Sequence, residues 1–372
     1  VIRSLHPVDV VLASTRLYSS LPIVGKHLEP FAGLTAMALW GGHYAPAAIR
    51  GALSRRLSAN PAAPAAPADE AQTVVAKRHG TRVPPYLLFR AQRQRCLYRG
   101  SVQYGSHPAQ LLDVWRRPDL PSGAPVLLFV PGGAWVQGTR VLQGHTLLAH
   151  LVKKGWVCLT MDYRVSPVHR WPRHIADVNA AIAWARANVD QYGGDTDFVS
   201  IAGCSAGGHL AALAGLTPGD PAFRGELGDD ADTSVDAVVG VYGRYDWQGR
   251  SSATHRSFQN FLERVVVGRS ASRHPEIYAA ASPLARIHQD APPFLLIHGE
   301  QDVIIPVDEA RHFHAELQSV SKNPVQFHEV PRAGHAFDLV DTGLARRSAA
   351  EVSDFLTGVH ARHLESRSTV AV

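Results

Sequence analysis

The sequence predicts an α/β domain in which a mainly parallel central sheet carries helices on both faces. Three observations predict it. Short apolar runs rich in β-branched residues alternate with longer segments of helical period, glycine-bearing turns follow several of those runs, and a Pro/Ala stretch sets this pattern apart from what precedes it. With 372 residues and 45% hydrophobic content the chain can bury a full core. About 200–250 residues suffice for one α/β domain, so one such domain plus an extension is expected.

In chain order, residues 30–49 (PFAGLTAMALWGGHYAPAAI) form twenty consecutive uncharged positions. That is about the length of a membrane-spanning helix, but Gly41, Gly42, His43 and Pro46 would break it or strand polar groups in hydrocarbon. A packed or interfacial segment is the expectation. Residues 60–71 (NPAAPAAPADEA) read as a semi-rigid linker. The division expected is therefore a helical, apolar extension with its linker at 1–71 and a catalytic domain at 72–372, its core at about 124–360.

Within that domain the expected buried strands are 126–130 (VLLFV), 156–161 (WVCLTM), 198–202 (FVSIA), 235–241 (VDAVVGV), 294–297 (FLLI) and 325–330. Segment 175–189 places Ile175, Val178, Ile182, Ala185 and Val189 at three-to-four spacing, as an amphipathic crossover helix requires. Segments 307–320 and 345–359 behave similarly. Residues 244–283 interrupt the rhythm and read as a cap-like insertion over the active-site end of the sheet.

The charge is unevenly spread. Residues 1–100 hold 13 Lys/Arg against 4 Asp/Glu, although the whole chain carries only +5. The body is thus faintly acidic, and no nucleic-acid partner is expected. Residues 71–100 hold seven Lys/Arg and no acid. They read first as a solvated linker face and second as a surface for peripheral contact with anionic headgroups. The first residues lack the pattern of a secretory signal, which leaves a cytoplasmic and a cell-envelope location both open. Three scattered cysteines, Cys96, Cys158 and Cys204, make neither a disulfide framework nor a metal cluster.

The sharpest chemical signal is Gly203-Cys204-Ser205-Ala206-Gly207, directly after FVSIA and directly before the helix-forming run HLAALAGL. A serine on a tight strand-to-helix turn presents its hydroxyl at the carboxyl edge of the sheet, and only small flanking residues fit such a turn. Serine is a weak nucleophile at neutral pH and requires a base. A histidine and an acid follow at strand ends: Asp302 in IHGEQDVIIP after FLLI, and His335 in RAGHAFD after VQFHEV. Asp308 is a minor alternative to Asp302 and reads as the opening of a helix; His298 reads as a packed or hydrogen-bonded residue; Asp338 lies too close to His335.

Acyl transfer also needs backbone donors aimed at the tetrahedral oxyanion. The run Pro131-Gly132-Gly133-Ala134-Trp135 after VLLFV supplies a loop for them, and the Ala206 amide points the same way from the helix start. Other clusters are weaker. His312 and His314 sit two apart on a predicted helix and face different sides, so no metal is expected. Cys204 reads as a small buried hydrophobe. No GxxxxGK[ST] loop is present, and no organic cofactor is expected.

PGGAW, DYRVSP (162–167), YGGD (192–195), GCSAGGH, HGEQD and GHAFD, in this order, resemble the hormone-sensitive-lipase-like carboxylesterases of the α/β-hydrolase fold. The resemblance covers about 124–359, and the linked extension is similar to that of actinobacterial, mycobacterial Lip esterases. It implies a small-molecule or lipid ester substrate, Ser205, Asp302 and His335 as catalytic triad, and Gly133, Ala134 and Ala206 as oxyanion donors. One departure stands out: family members often carry HGGG where this chain has PGGA, so the histidine that braces the loop is Pro131 here. PGGAW is also similar to the loops of isoprenylcysteine methylesterases and formamidases. An amidase, aryl formamidase or methylesterase on the same triad is the alternative within the fold, and a non-catalytic hydrolase-like binding protein is the alternative outside it.

Overall fold

The structure is a computed structural model that describes residues 92–249, 253–339 and 341–370. The expected extension and linker at 1–71, the apolar run 30–49 and most of the basic stretch lie outside the described residues. Among the described residues no helix is long and apolar enough to cross a membrane.

Eight strands form one sheet: β1 (Leu97–Gln103), β2 (Leu111–Trp115), β3 (Ala124–Val130), β4 (Val157–Met161), β5 (Gly194–Cys204), β6 (Ala237–Val241), β7 (Phe294–Gly299) and β8 (Val325–Val330). Their spatial order is β1-β2-β4-β3-β5-β6-β7-β8. The pairs β1–β2 and β2–β4 are antiparallel, and every pair from β4–β3 to β7–β8 is parallel. The helices are α1 (His145–Lys153), α2 (Arg173–Asn188), α3 (Ala206–Leu216), α4 (Ala253–Phe261), α5 (Pro275–Ala280), α6 (Val307–Val320) and α7 (Gly343–Val370).

The apolar runs of β3, β4, β6 and β7 are continuous because these strands are covered on both faces. In β3, Val126, Leu128 and Val130 pack into one cluster with Ile175, Val178 and Ile182 of α2 and Leu210 and Leu213 of α3. Leu127 and Phe129 point the other way, into a cluster with Leu148 and Leu151 of α1 and Val352 and Leu356 of α7. Each such side chain stabilises the fold by about 1.5–3 kcal/mol when fully buried, so a polar residue on either face of β3 is excluded.

All six expected strands are present, and the helix expected at 307–320 matches α6. Two strands were not expected. β1 (LYRGSVQ) is a half-exposed edge strand with charges and a glycine. β2 (LLDVW) places Asp113 inside a buried strand, where it pairs with Arg93 and Arg140. A charge in a strand core is tolerated only with such partners, which the local sequence does not display. Helix α7 continues past Val359, its last core residue, to Val370, and the side chains of 361–368 are mostly exposed.

The interrupting segment 244–283 contains α4, a π-helical turn (Leu262–Val267) and α5. Tyr245, Trp247, Leu262, Val266 and Tyr278 bury against the α2 and α3 layer. Trp171 N–H donates to the Val266 carbonyl at 3.0 Å, which ties the segment to the loop after β4.

Candidate active site

Ser205 is the single residue between β5 and α3, with φ 55° and ψ −119°. A non-glycine residue in this region costs on the order of 1–3 kcal/mol and persists only where the surroundings fix it. They do so here: Ser205 N–H donates to the Val241 carbonyl at 2.9 Å, and the Ser205 carbonyl accepts from His209 N–H at 3.0 Å. The flanking glycines are steric necessities. A Cβ on Gly203 would lie 2.2 Å from the Gly207 carbonyl oxygen, and one on Gly207 would lie 2.0 Å from that of Val130.

His335 lies between β8 and α7, and Asp302 follows β7. His335 Nε2 is 2.9 Å from Ser205 Oγ, and His335 Nδ1 is 2.7 Å from Asp302 Oδ2. A carboxylate only accepts, so the ring proton sits on Nδ1 and Nε2 is left to accept from the serine hydroxyl. The two loops are held together by Gln301 N–H donating to the Ala333 carbonyl at 2.8 Å. Gly299 is required at their crossing, since a Cβ there would meet the Ala333 oxygen at 2.5 Å. The Tyr242 ring packs 4.7 Å from that of His335.

Asp302 Oδ1 accepts from the N–H groups of Ile304 and Ile305, both at 2.9 Å. His298 Nε2 donates to the Ile305 carbonyl at 2.9 Å and also faces Asp302 Oδ2 at 3.2 Å. Burial alone would push this carboxyl up, but the hydrogen bonds from His298, His335 and the Ile305 amide outweigh it and hold Asp302 well below the usual carboxylate range. Asp308, the minor alternative, is exposed in the first turn of α6 and pairs with Arg311 at 2.7 Å.

The loop 131–135 lies directly against Ser205: a Cβ on Gly132 would be 3.0 Å from Ser205 Cβ. Gly133, Ala134 and Trp135 have φ of 137°, 51° and 59°, a run of left-handed backbone that turns successive amides away from the strand. Among the described residues, none of the amides of Gly133, Ala134 and Ala206 donates to another backbone group. Ala206 begins α3, where the first amides have no intrahelical partner.

With proline at 131, other groups brace this loop. Tyr163 O–H donates to the Pro131 carbonyl at 3.0 Å. The Trp135 carbonyl accepts from Ser166 N–H at 2.8 Å and from His174 Nε2 at 3.0 Å. The Trp135 indole N–H donates to His209 Nδ1 at 3.2 Å, while His209 Nε2 donates to the Ala281 carbonyl at 2.7 Å. Burial lowers the pKa of both His174 and His209 to about 3, so both rings stay neutral and can hold these roles at working pH. Trp247 stacks on His209 with ring centroids 4.6 Å apart, so the 244–283 segment also fixes the loop. Sequence reasoning passed over Trp135 and His209 as individual residues, although both stand inside the quoted motifs. It passed over Gln143, whose Oε1 accepts from Gly132 N–H at 2.7 Å, because no motif contains it.

Cys204 is buried, as expected, but it does more than pack: its S–H donates to Gln143 Oε1 at 3.0 Å. His312 lies exposed near Glu316, while His314 packs on Phe327. Among the described residues no group of three or more His, Cys, Asp or Glu is placed to hold a metal ion.

A serine at a strand-to-helix turn, facing a histidine and an aspartate from the carboxyl ends of later strands of a mainly parallel sheet, defines the class: this is an α/β-hydrolase. A model of the BD-FAE family matches residues 112–317. Esterase LipC of Mycobacterium tuberculosis is 49% identical, covering 95% of this chain and 92% of that protein. The isoprenylcysteine α-carbonyl methylesterase ICME of Arabidopsis thaliana is 27% identical over 60% of this chain and 53% of its own. Among solved structures, a truncated carbohydrate esterase from gut microbiota superposes with a TM-score of 0.61 at 26% identity, covering 70% of this chain and 95% of the other. The chain belongs to the BD-FAE family and is a carboxylesterase of the hormone-sensitive-lipase-like, Lip type that its motifs resemble.

Proposed function

We propose that this carboxylesterase acts through an acyl-enzyme on Ser205, with His335 as general base and Asp302 as the group that orients it. The observation that carries this reading is the unbroken relay of 2.9 Å from Ser205 Oγ to His335 Nε2 and 2.7 Å from His335 Nδ1 to Asp302 Oδ2. The serine oxygen attacks the ester carbonyl while its proton passes to His335 Nε2. The imidazolium, stabilised by ionised Asp302, then protonates the departing alkoxide, and the alcohol leaves. Water, deprotonated by the same nitrogen, attacks the acyl-enzyme; the carboxylic acid departs and Ser205 regains its proton. The amides of Gly133, Ala134 and Ala206 hold the oxyanion in both halves.

The domain division at residue 71 and the cap role of 244–283 belong to the same proposal. Packing of Phe258 on Trp135, centroids 5.7 Å apart, supports a role for that segment in walling the substrate site. The basic first 100 residues support peripheral contact with an anionic surface, tested by co-sedimentation with anionic vesicles at low salt.

The substrate is a small ester, and a p-nitrophenyl series from acetyl to palmitoyl reads its acyl length. Ser205→Ala run beside each substrate should reduce turnover to background with the fold intact. Retention of comparable activity by that variant would overturn the assignment. The name of the plant relative, an isoprenylcysteine α-carbonyl methylesterase, supports methyl esters as a second substrate set, assayed by methanol release.

A further inference from the structure

We propose that Gln143 is a positioning residue for the oxyanion loop, supplying from the turn before α1 the brace that a histidine gives at position 131 in HGGG sequences. The inference rests on the acyl-enzyme reading above. Gln143 Oε1 accepts from Gly132 N–H at 2.7 Å, and Gln143 Nε2 lies 3.5 Å from the Gly132 carbonyl. One primary amide therefore spans both polar groups of the residue that precedes the oxyanion donors. The same Oε1 accepts the Cys204 S–H at 3.0 Å, on the residue immediately before the nucleophile. A single oxygen thus joins the two halves of the site whose spacing sets the distance from Ser205 to the Gly133 and Ala134 amides.

The turn that presents Gln143 is itself fixed. Gly144 has φ 74°, and a Cβ there would meet the Phe129 ring at 2.7 Å, so the chain passes directly over the end of β3. On its other side Cys204 interacts with Tyr242, whose hydroxyl contacts Asp338. Burial pushes the Cys204 thiol up, so its S–H remains a donor to Gln143. Along this chain of contacts Tyr242 O–H donates to Asp338 Oδ1, and the Cys204 S–H donates to Gln143 Oε1. The chain runs from the histidine loop, three residues past His335, to the oxyanion loop beneath the nucleophile, and Gln143 is its last side chain.

The geometry gives Gln143 a role in the tetrahedral state rather than in ground-state binding. Losing one oxyanion donor outright typically costs about 100–1,000-fold in kcat, so loosening two of them should cost less. Gln143→Leu and Gln143→Met, which remove the acceptor at similar size, are expected to lower kcat on p-nitrophenyl butyrate about 10–100-fold, with KM within about threefold. Inactivation by a fluorophosphonate, which passes through the same oxyanion, should slow in parallel. Gln143→Glu keeps an acceptor oxygen and should recover most of the lost kcat.

If kcat per titrated site in both apolar variants stays within twofold of the parent, the proposal fails. It fails equally if Tm drops while kcat per folded site is unchanged, or if none of the three variants folds, since either result makes Gln143 a structural residue only. Ser205→Ala measured alongside separates the two readings. An inactive serine variant with normal Gln143 variants sinks this inference alone, whereas an active serine variant sinks the acyl-enzyme reading beneath it.

Discussion

Replacing Asp302 by asparagine tests the orienting role through one atom. The side chain sits in a socket with unequal ends: Oδ1 faces two backbone donors, Ile304 and Ile305 N–H at 2.9 Å each, whereas Oδ2 faces His335 Nδ1 at 2.7 Å, a ring that can change tautomer, and His298 Nε2 at 3.2 Å, which keeps the Ile305 carbonyl as acceptor. In the Asp302→Asn variant the side-chain carbonyl oxygen must stay with the two amides, because the opposite flip would press an NH2 against two N–H donors. The NH2 then occupies the Oδ2 position and donates to His335 Nδ1. The ring proton is forced to Nε2, where it points at Ser205 Oγ, and that nitrogen can no longer accept the hydroxyl proton. The wrong tautomer typically costs about 10³–10⁴-fold in kcat, or about 4–5.5 kcal/mol of transition-state stabilisation. The assay is kcat/KM for p-nitrophenyl butyrate, with Tm and circular dichroism to establish folding. A folded Asp302→Asn enzyme retaining more than a tenth of the parent rate would refute the reasoning.

Three further outcomes follow from the same geometry. Gly207→Ala drives a methyl to within 2.0 Å of the Val130 oxygen and should destabilise by about 1–3 kcal/mol, seen as a lower urea midpoint together with loss of turnover; an unchanged midpoint would show that the helix start is not sterically fixed. Trp135→Phe removes the indole donor and leaves His209 Nδ1 buried without its partner, so Tm should fall by an amount equivalent to about 1–3 kcal/mol, and equal stability would contradict the clamp. The pH dependence has a definite sign. Because the folded-state pKa of Asp302 is depressed, its contribution is fully present above the unfolded value of about 3.9 and is lost as pH falls towards the folded value. The stability difference between the parent and Asp302→Asn should therefore shrink between about pH 5 and pH 2, and a difference that grew on acidification would reverse the assignment of that shift.

Much of the site was legible because its constraints are local. Gly203 is required by a contact made within the strand-to-helix turn itself, Gly299 stands three residues before Asp302, and the apolar runs of β3 to β7 record burial on both faces. A reading of order and spacing therefore reaches Ser205, Asp302 and His335 as candidates and the α/β architecture around them. What escaped it depends on partners distant in sequence. β2 is a strand despite Asp113 because Arg140 arrives to pair with it. Gln143 reaches Gly132 and Cys204 only because α1 begins over the end of β3. The sequence by itself determined the fold class, the strand set from β3 onward and the candidates for the reacting side chains, since periodicity and steric turn requirements are properties of neighbouring residues. Only the tertiary structure decided how the proline-bearing 131–135 loop is held in place, because hydrogen-bond partners separated by tens of residues leave no periodic trace along the chain.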